Sequence, residues 1–370
     1  MNKKVFRHTA LSLISMSSVL CLSTPAWADI TLGAILPLTG TTADIGEDQR
    51  RGIELAVKQI NANGGVLGQP LNVLFEDSAG NAMTALNAVR KLDEINHVPV
   101  VIGTFASSVT IPVGQYLEKK HKIHLNISGS STDIRKIGDH SYSMIGLDDL
   151  SAKFAAEDAF KQGYKRIVLI APNGAYGQGM EKQFTKRFRE LGGKVLSSVL
   201  YKSGQPTYRS ELQRLSHTRP DAYIYTSWGQ DAIVLNRDAY QLGLNDTPWY
   251  GMYLTMSTGG APAQYTQGQI GMEVESLGAK GKNYVAQYQA EFKQKPQSAY
   301  SSYAYDSVML TAKAITTAGK ETPDAIQAAL LKVAPNYVGI TGPFNLDADH
   351  LRTTQPYRTV KINNGEIVKR

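Results

Sequence analysis

The chain has 370 residues, 42% hydrophobic and 19% charged, without a low-complexity tract; this is a globular composition, too long for one ordinary domain, and two domains are expected. Its net charge of +7 is mild, and the basic residues are scattered among acidic ones with no stripe and no aromatic interleaving, which argues against nucleic-acid binding. After the N-terminal segment no run of eighteen apolar residues occurs, so no later membrane span is expected.

Residues 1–28 read as a secretory signal peptide. Lys3, Lys4 and Arg7 form the basic region, Ala10–Leu22 the short apolar core, and Ala26-Trp27-Ala28 the cleavage site. A lipid-attachment reading would use Cys21, but Leu20 before it is not the small residue such a site needs. An exported, soluble, periplasmic protein cut after Ala28 is expected. Cleavage removes three Lys/Arg and no Asp/Glu, which lowers the net charge to +4. It also removes Cys21, the only cysteine, so no disulfide is expected.

The mature chain opens with a strand, Asp29–Pro37, and a polar turn at 38–42 that contains Thr39, Thr41 and Thr42. A helix follows with Ile53, Val57 and Ile60 on one face, ended by Asn63-Gly64-Gly65. Leu71–Glu76 alternates as a strand, and Ala82–Leu92 is helical. Val98–Ile102 is a short buried strand. Phe105-Ala106-Ser107-Ser108 then opens a helix, with Pro112 near its first turn. Ile123–Ile127 is the next strand, and it empties into Ser128-Gly129-Ser130-Ser131-Thr132. Two adjacent parallel strands thus deliver hydroxyls and free backbone N–H groups to one sheet edge, where open α/β sheets bind ligands. Helix N-termini there suit an anion such as a carboxylate. Ser107, Ser128 and Thr132 serve equally well as plain helix caps on this pattern alone.

Near Tyr142–Asp149 the alternation restarts. Strand Arg166–Ala171, a turn at Asn173–Gly177, helix Gly179–Leu191, strand Val195–Tyr201, helix Thr207–Leu215, strand Ala222–Thr226, helix Gln230–Leu242 and strand Trp249–Tyr253 describe a second parallel sheet. Three close helices, Lys282–Phe292, Tyr303–Ala318 and Pro323–Leu331, then cover a sheet already formed. A terminal hairpin, Tyr357–Ile362 and Glu366–Lys369, turns at Asn363-Asn364-Gly365. The fold class is a bilobed α/β protein.

ITLGAILPLTG (30–40), RGIELAVKQINANGGVLGQPLNVLFED (51–77), VVIGTFASS (100–108), APNGAYGQG (171–179), RPDAYIY (219–225), SSYAYDSVML (301–310) and ITGPFNLDADH (340–350) occur in order. Together they resemble type I periplasmic solute-binding proteins of ABC importers, nearest to the leucine/isoleucine/valine-binding and amide/urea-binding groups. The resemblance implies two Rossmann-like lobes joined by a three-crossover hinge that closes on the ligand. It implies lobe one at 29–148 plus 276–350 and lobe two at 149–275 plus 351–370. It places the ligand carboxylate on Ser107 and Thr132, with Ser130 and Ser128 beside them, and sets Tyr176 and Trp228 of lobe two over the ligand. Phe105, Tyr253 and Ile45 complete the expected binding set. The ligand would be a branched-chain or aliphatic amino acid or an aromatic acid. The partner would be a membrane ABC permease, and the protein a monomer.

The family's amino-acid binders carry a glutamate just past the strand read here as Trp249–Tyr253. This chain has Gly251-Met252-Tyr253-Leu254 there, and Ile45 stands where an aromatic is frequent. Asp231 and Asp306 are the candidate replacement acids, with Asp306 the more structural of the two. One of Tyr300, Tyr303 and Tyr305 is expected to reach the cleft. No G-x-S-x-G, H-E-x-x-H or G-x-x-x-x-G-K-[ST] occurs, and GAYGQG (174–179) departs from the dinucleotide fingerprint. His121 and His124 have the wrong spacing to share a metal on a strand. Neither enzyme activity, cofactor nor metal is expected. The alternatives are a ligand-sensing module for a signalling partner, which would use the same residues, and an amide/urea-type binding protein.

Overall fold

The computed structural model describes residues 29–370 apart from 276 and 279; the signal peptide expected at 1–28, with Cys21, lies outside the described residues. In chain order the elements begin with β1 (Ile30–Leu36), α1 (Ala43–Ala62), β2 (Leu71–Asp77), α2 (Ala82–Arg90), β3 (Val100–Gly103), α3 (Ser107–Lys119), β4 (Ile123–Asn126) and β5 (Ser141–Gly146). Then come α4 (Asp148–Lys161), β6 (Arg166–Pro172), α5 (Ala175–Glu190), β7 (Lys194–Tyr201), α6 (Arg209–Ser216), β8 (Ala222–Tyr225), α7 (Gly229–Gln241), β9 (Trp249–Met252), the short α8 (Leu254–Thr258) and α9 (Ala263–Thr266), and β10 (Ile270–Val274). The chain finishes with α10 (Gly281–Phe292), α11 (Tyr300–Ala318), α12 (Pro323–Val333), β11 (Val338–Gly339), β12 (Gly342–Pro343), β13 (Leu351–Arg352), β14 (Tyr357–Asn363) and β15 (Glu366–Lys369).

The first sheet has the order β13-β5-β4-β3-β1-β2 and the second the order β15-β14-β10-β9-β8-β6-β7. All pairings in the first sheet are parallel. In the second only β14 and β15 run antiparallel to their neighbours. The chain passes between the sheets three times, after β5, after β10 and after β13. Leu351 and Arg352, expected with the second lobe, instead pair with Ser143 and Gly146 of β5 in the first sheet. Arg352 explains the placement: it is 2% exposed, and its guanidinium donates to Met144 O, Thr341 O, Pro343 O and Thr354 O.

Each sheet is covered on both faces, and strand periodicity decides which side chain goes where. Ile35 and Val101 face a cluster with Val89, Leu92, Val113 and Leu117 of the α2–α3 side. Their neighbours Ala34, Leu36, Val100 and Ile102 point the other way, into the cluster that holds α1 and α11. In the second sheet Val168, Ile170, Tyr223 and Tyr225 join Leu212 and Leu235 of α6 and α7. Ile167, Leu169 and Ile224 instead join Met180 and Phe184 of α5. Trp249 stacks on Tyr223 with ring centroids 4.7 Å apart. The terminal hairpin turns as its Asn-Gly sequence predicts, with Asn364 at φ 51° and Gly365 at φ 79°.

Two boundaries differ from expectation. α5 begins at Ala175, so the Gly177 region is the first turn of a helix and Tyr176 stands in it. A Cβ at Gly177 would meet Pro172 O at 1.9 Å; the missing side chain lets the helix start directly on the strand end. Pro112 lies inside α3, beyond its first turn.

In both sheets the strand order reverses beside the first strand of each unit: β1 lies between β3 and β2, and β6 between β8 and β7. Such reversal points open a crevice at the carboxyl edge. The two crevices face each other across one cleft.

Candidate functional site

The cleft has an inner niche and an outer cavity. The niche is lined by Phe105, Ala106, Ser107, Ser128, Ser130, Tyr176, Trp228, Met256 and Tyr300 and has a volume of about 20 Å³, room for a water molecule. The outer cavity, about 620 Å³, is lined by both halves of the molecule. Thr41, Thr42, Asp44 and Ile45 come from the first polar turn and the start of α1. Gly229, Gln230 and Ile233 come from α7, and Tyr253, Thr255 and Met256 from the segment after β9. Its volume falls in the ordinary range for small-molecule sites.

Ser107 is the first residue of α3, whose N-cap is Ala106 with no side-chain cap. Its Oγ accepts from Ser130 N and Ser131 N, both at 3.1 Å, tying the end of β3 to the turn after β4. Asn126 clamps that turn: Oδ1 accepts from Ser128 N and Gly129 N, and Nδ2 donates to Gly129 O and Ser143 Oγ. Gln49 Nε2 donates to Ser128 Oγ at 2.5 Å. Gln49 Oε1 is buried with no partner among the described residues. The side chains of Ser107 and Ser130 and the N-terminal turn of α3 border this small space. α5 and α7 also start at this cleft, so three positive helix ends converge on it. Among the described residues no Lys, Arg or His lines the niche or the outer cavity.

Rings form the rest of the wall. Phe105 meets Trp228 edge-on at 6.1 Å and Tyr300 at 5.5 Å. Tyr176 lies 5.6 Å from Trp228 and 6.5 Å from Tyr253, and its hydroxyl hydrogen-bonds Thr226 Oγ1 at 2.9 Å. First-sheet and second-sheet aromatics thus touch directly. The backbone does so too: a Cβ on Gly229, at φ +54°, would meet Thr41 O at 2.3 Å. Gly229→Ala is expected to hold the two halves apart and to weaken ligand binding by on the order of tenfold or more, since a non-glycine residue at this φ costs about 1–3 kcal/mol before the clash is counted. Calorimetry together with the radius of gyration from small-angle scattering checks it; unchanged affinity and radius would show that this contact does not limit closure.

The expected residues therefore divide. Phe105, Ser107, Ser128, Ser130, Tyr176 and Trp228 come together in the niche, while Tyr253 and Ile45 line the outer cavity. Thr132 lines neither; it begins a short 3-10 turn capped by Ser131 and is half-buried. Of the three candidate tyrosines, Tyr300 lines both spaces. Asp231 is spent on Gly204 N and the Tyr208 hydroxyl, and Asp306 on Ile340 and Thr341 N–H groups; neither reaches the cleft. His124 is buried, bonded to Ser141 Oγ and Gly103 O, with its pKa lowered to about 4 by desolvation. It is a structural histidine, and no group of metal-ligating side chains occurs among the described residues.

Sequence reasoning missed Met256 and Glu273. Glu273, on β10, lines the outer cavity with Oε2 accepting from Thr255 N at 3.0 Å. Burial raises its carboxyl pKa, and hydrogen bonds from Thr255 and Val274 lower it in part. The sequence signal lay in an acid inside an otherwise apolar strand, Ile270–Val274.

Residues 29–366 match the family model for periplasmic binding proteins. The chain is 26% identical to the Leu/Ile/Val-binding protein BraC3 of Rhizobium johnstonii over 93% of this chain and 94% of that one. It is 27% identical to an amino acid binding protein of Pseudomonas aeruginosa over 87% of each. Among solved structures, the branched-chain amino acid transporter substrate binding protein LivJ of Streptococcus pneumoniae, in complex with isoleucine, superposes with a TM-score of 0.82 at 23% identity, covering 92% of this chain and 98% of that one. An ABC transporter solute binding protein of R. palustris in complex with benzoate gives 0.82 at 20% identity, covering 92% and 95%.

Proposed function

Since this chain belongs to the periplasmic binding protein family, we propose that it captures a small carboxylate-bearing solute between two lobes and hands it to a membrane ABC permease. The observation that carries this reading is the niche itself: serine hydroxyls and helix N-termini on one side, rings on the other, and no basic residue among the described ones. Ser107, Ser128 and Ser130 hold the carboxylate. Phe105, Tyr176 and Trp228 enclose the apolar body, with Tyr253 and Ile45 on the outer side. The body is that of a branched-chain or aliphatic amino acid or of an aromatic acid, the kinds of ligand carried by the isoleucine-bound and benzoate-bound structures.

The lobes in this reading are 29–147 with 281–352, and 148–275 with 357–370, hinged at the three passages between the sheets. Closure expels water and strengthens each polar contact to the ligand. The leader is cut after Ala28, the mature protein acts as a monomer, and no bond of the ligand is made or broken.

A thermal-shift screen over amino acids, aromatic acids and short amides tests the reading. A true ligand at a hundredfold excess over its Kd stabilises by about 2.7 kcal/mol, several degrees in Tm for lobes of this size. Stabilisation by amides alone, with none by carboxylates, would contradict it.

A further inference from the structure

Gln49 stands on α1, one turn after Ile45 and one turn before Ile53, on the face that packs into the core. It is 0% exposed. Its Nε2 donates to Ser128 Oγ at 2.5 Å, while its Oε1 is buried with no partner among the described residues. Its neighbour Asp48 is spent elsewhere, on the Tyr288 hydroxyl, Gln297 N, and Ser298 N and Oγ. A side chain kept at this position for packing alone would be apolar, since a buried amide with an unpaired oxygen costs stability that methionine or leucine does not. The reason for an amide here lies in what it touches.

Ser128 is 5% exposed and lines the niche. Its backbone N–H is held by Asn126 Oδ1 at 3.2 Å, which leaves the torsions of the side chain to be set. The bond from Gln49 is the only hydrogen bond of Ser128 Oγ among the described residues. A hydroxyl has one hydrogen to give and two sites at which to accept. An oxygen that accepts from Gln49 turns its hydrogen away from Gln49 and keeps it for another acceptor. A carboxylate presents acceptors on both of its oxygens, whereas a primary carboxamide presents one oxygen and a nitrogen that only donates. A hydroxyl fixed as a donor therefore serves the acid in full and meets the amide nitrogen with hydrogen against hydrogen. Gln49 itself lines neither the niche nor the outer cavity.

We propose that Gln49 is a positioning residue: by donating to Ser128 Oγ it fixes that hydroxyl as a donor toward the niche, and so makes the site select carboxylates over the matching carboxamides. This rests on the carboxylate reading of the niche and deepens it, because it assigns the choice between acid and amide to a side chain behind the wall. Without Gln49 the hydroxyl turns freely and can offer a lone pair to an amide nitrogen.

Calorimetric titration of the mature chain with two matched pairs, benzoate against benzamide and L-leucine against L-leucinamide, tests this in the wild type, Gln49→Met, Ser128→Ala and the double variant. In the wild type the acid of at least one pair binds on the order of 100-fold tighter than its amide. Gln49→Met is expected to lower that ratio on the order of tenfold, the worth of one oriented hydrogen bond to a charged group. In the Ser128→Ala background the same substitution is expected to leave the ratio unchanged, because its effect passes through the Ser128 hydroxyl. A general loss of integrity lowers acid and amide alike and keeps the ratio. Gln49→Asn, one methylene shorter and unable to span to Ser128, is the second variant and is held to the same fall. A wild-type ratio retained in both Gln49 variants overturns the proposal and leaves the carboxylate niche standing. A fall of the same size with and without the Ser128 hydroxyl also overturns it. A wild type that binds each amide as tightly as its acid, or none of the four compounds, removes the carboxylate reading and the proposal with it.

Discussion

Ser107→Ala is expected to weaken capture of any carboxylate ligand by on the order of 10- to 100-fold, the worth of one hydrogen bond to a charged group. It is also expected to lower stability by about 1–3 kcal/mol, because the Ser107 hydroxyl does two jobs. As an acceptor it holds Ser130 N and Ser131 N at 3.1 Å. As a donor its hydrogen remains for the ligand. Alanine orphans two buried N–H groups and removes the donor together. Thr132→Ala supplies the contrast: Thr132 lines neither space, and its substitution is expected to leave affinity unchanged. Calorimetry with the ligand found by the thermal screen, run beside urea denaturation, separates the two effects. Equal losses in the two variants would show that the hydroxyl rim has been drawn in the wrong place.

The second large effect is on stability. Asp306→Ala is expected to destabilise by about 3–5 kcal/mol, the cost of leaving several buried donors without their shared acceptor and the nearby Arg352 without its counter-charge. Asp306 is 1% exposed and sits on α11. Its carboxylate accepts from Ile340 N at 3.0 Å, Thr341 N at 2.9 Å, Thr341 Oγ1 at 2.5 Å and the Tyr337 hydroxyl at 3.3 Å. It thereby pins the β11–β12 segment onto the first-sheet half. Burial raises its pKa, while these hydrogen bonds and the charge of Arg352 lower it. Arg352 donates to Thr341 in turn, so the carboxylate and the guanidinium grip the same residue from two sides. A urea midpoint shift corresponding to less than about 1 kcal/mol, within the scatter of ordinary surface substitutions, would show that this network carries little.

The sheets were legible because strand periodicity and turn chemistry agree along the chain. Val100–Gly103 and Ile123–Asn126 lie where short apolar runs predicted them. Ser107, Ser128 and Ser130 could be found from strand ends alone, since the carboxyl edge of a parallel sheet is a local consequence of strand direction. Thr132 could not be separated from them by pattern: it opens a 3-10 turn capped by Ser131 and lines neither space. Tyr300 and Glu273 depend on the three passages between sheets, and no local pattern fixes those. Leu351 and Arg352 were misassigned for a related reason. A two-residue strand has no periodicity to read, and what places it is the guanidinium of Arg352 reaching carbonyls distant in sequence.

In the proposed mode of capture the niche holds a carboxylate by hydroxyls and helix ends, without a basic side chain among the described residues. The most direct measurement is a calorimetric comparison of the best-binding acid with its primary carboxamide, identical in shape and neutral. The amide is expected to bind on the order of 100-fold more weakly, since the charge-assisted hydrogen bonds and the helix-end field act on the anion. An amide that binds as tightly as the acid would contradict it.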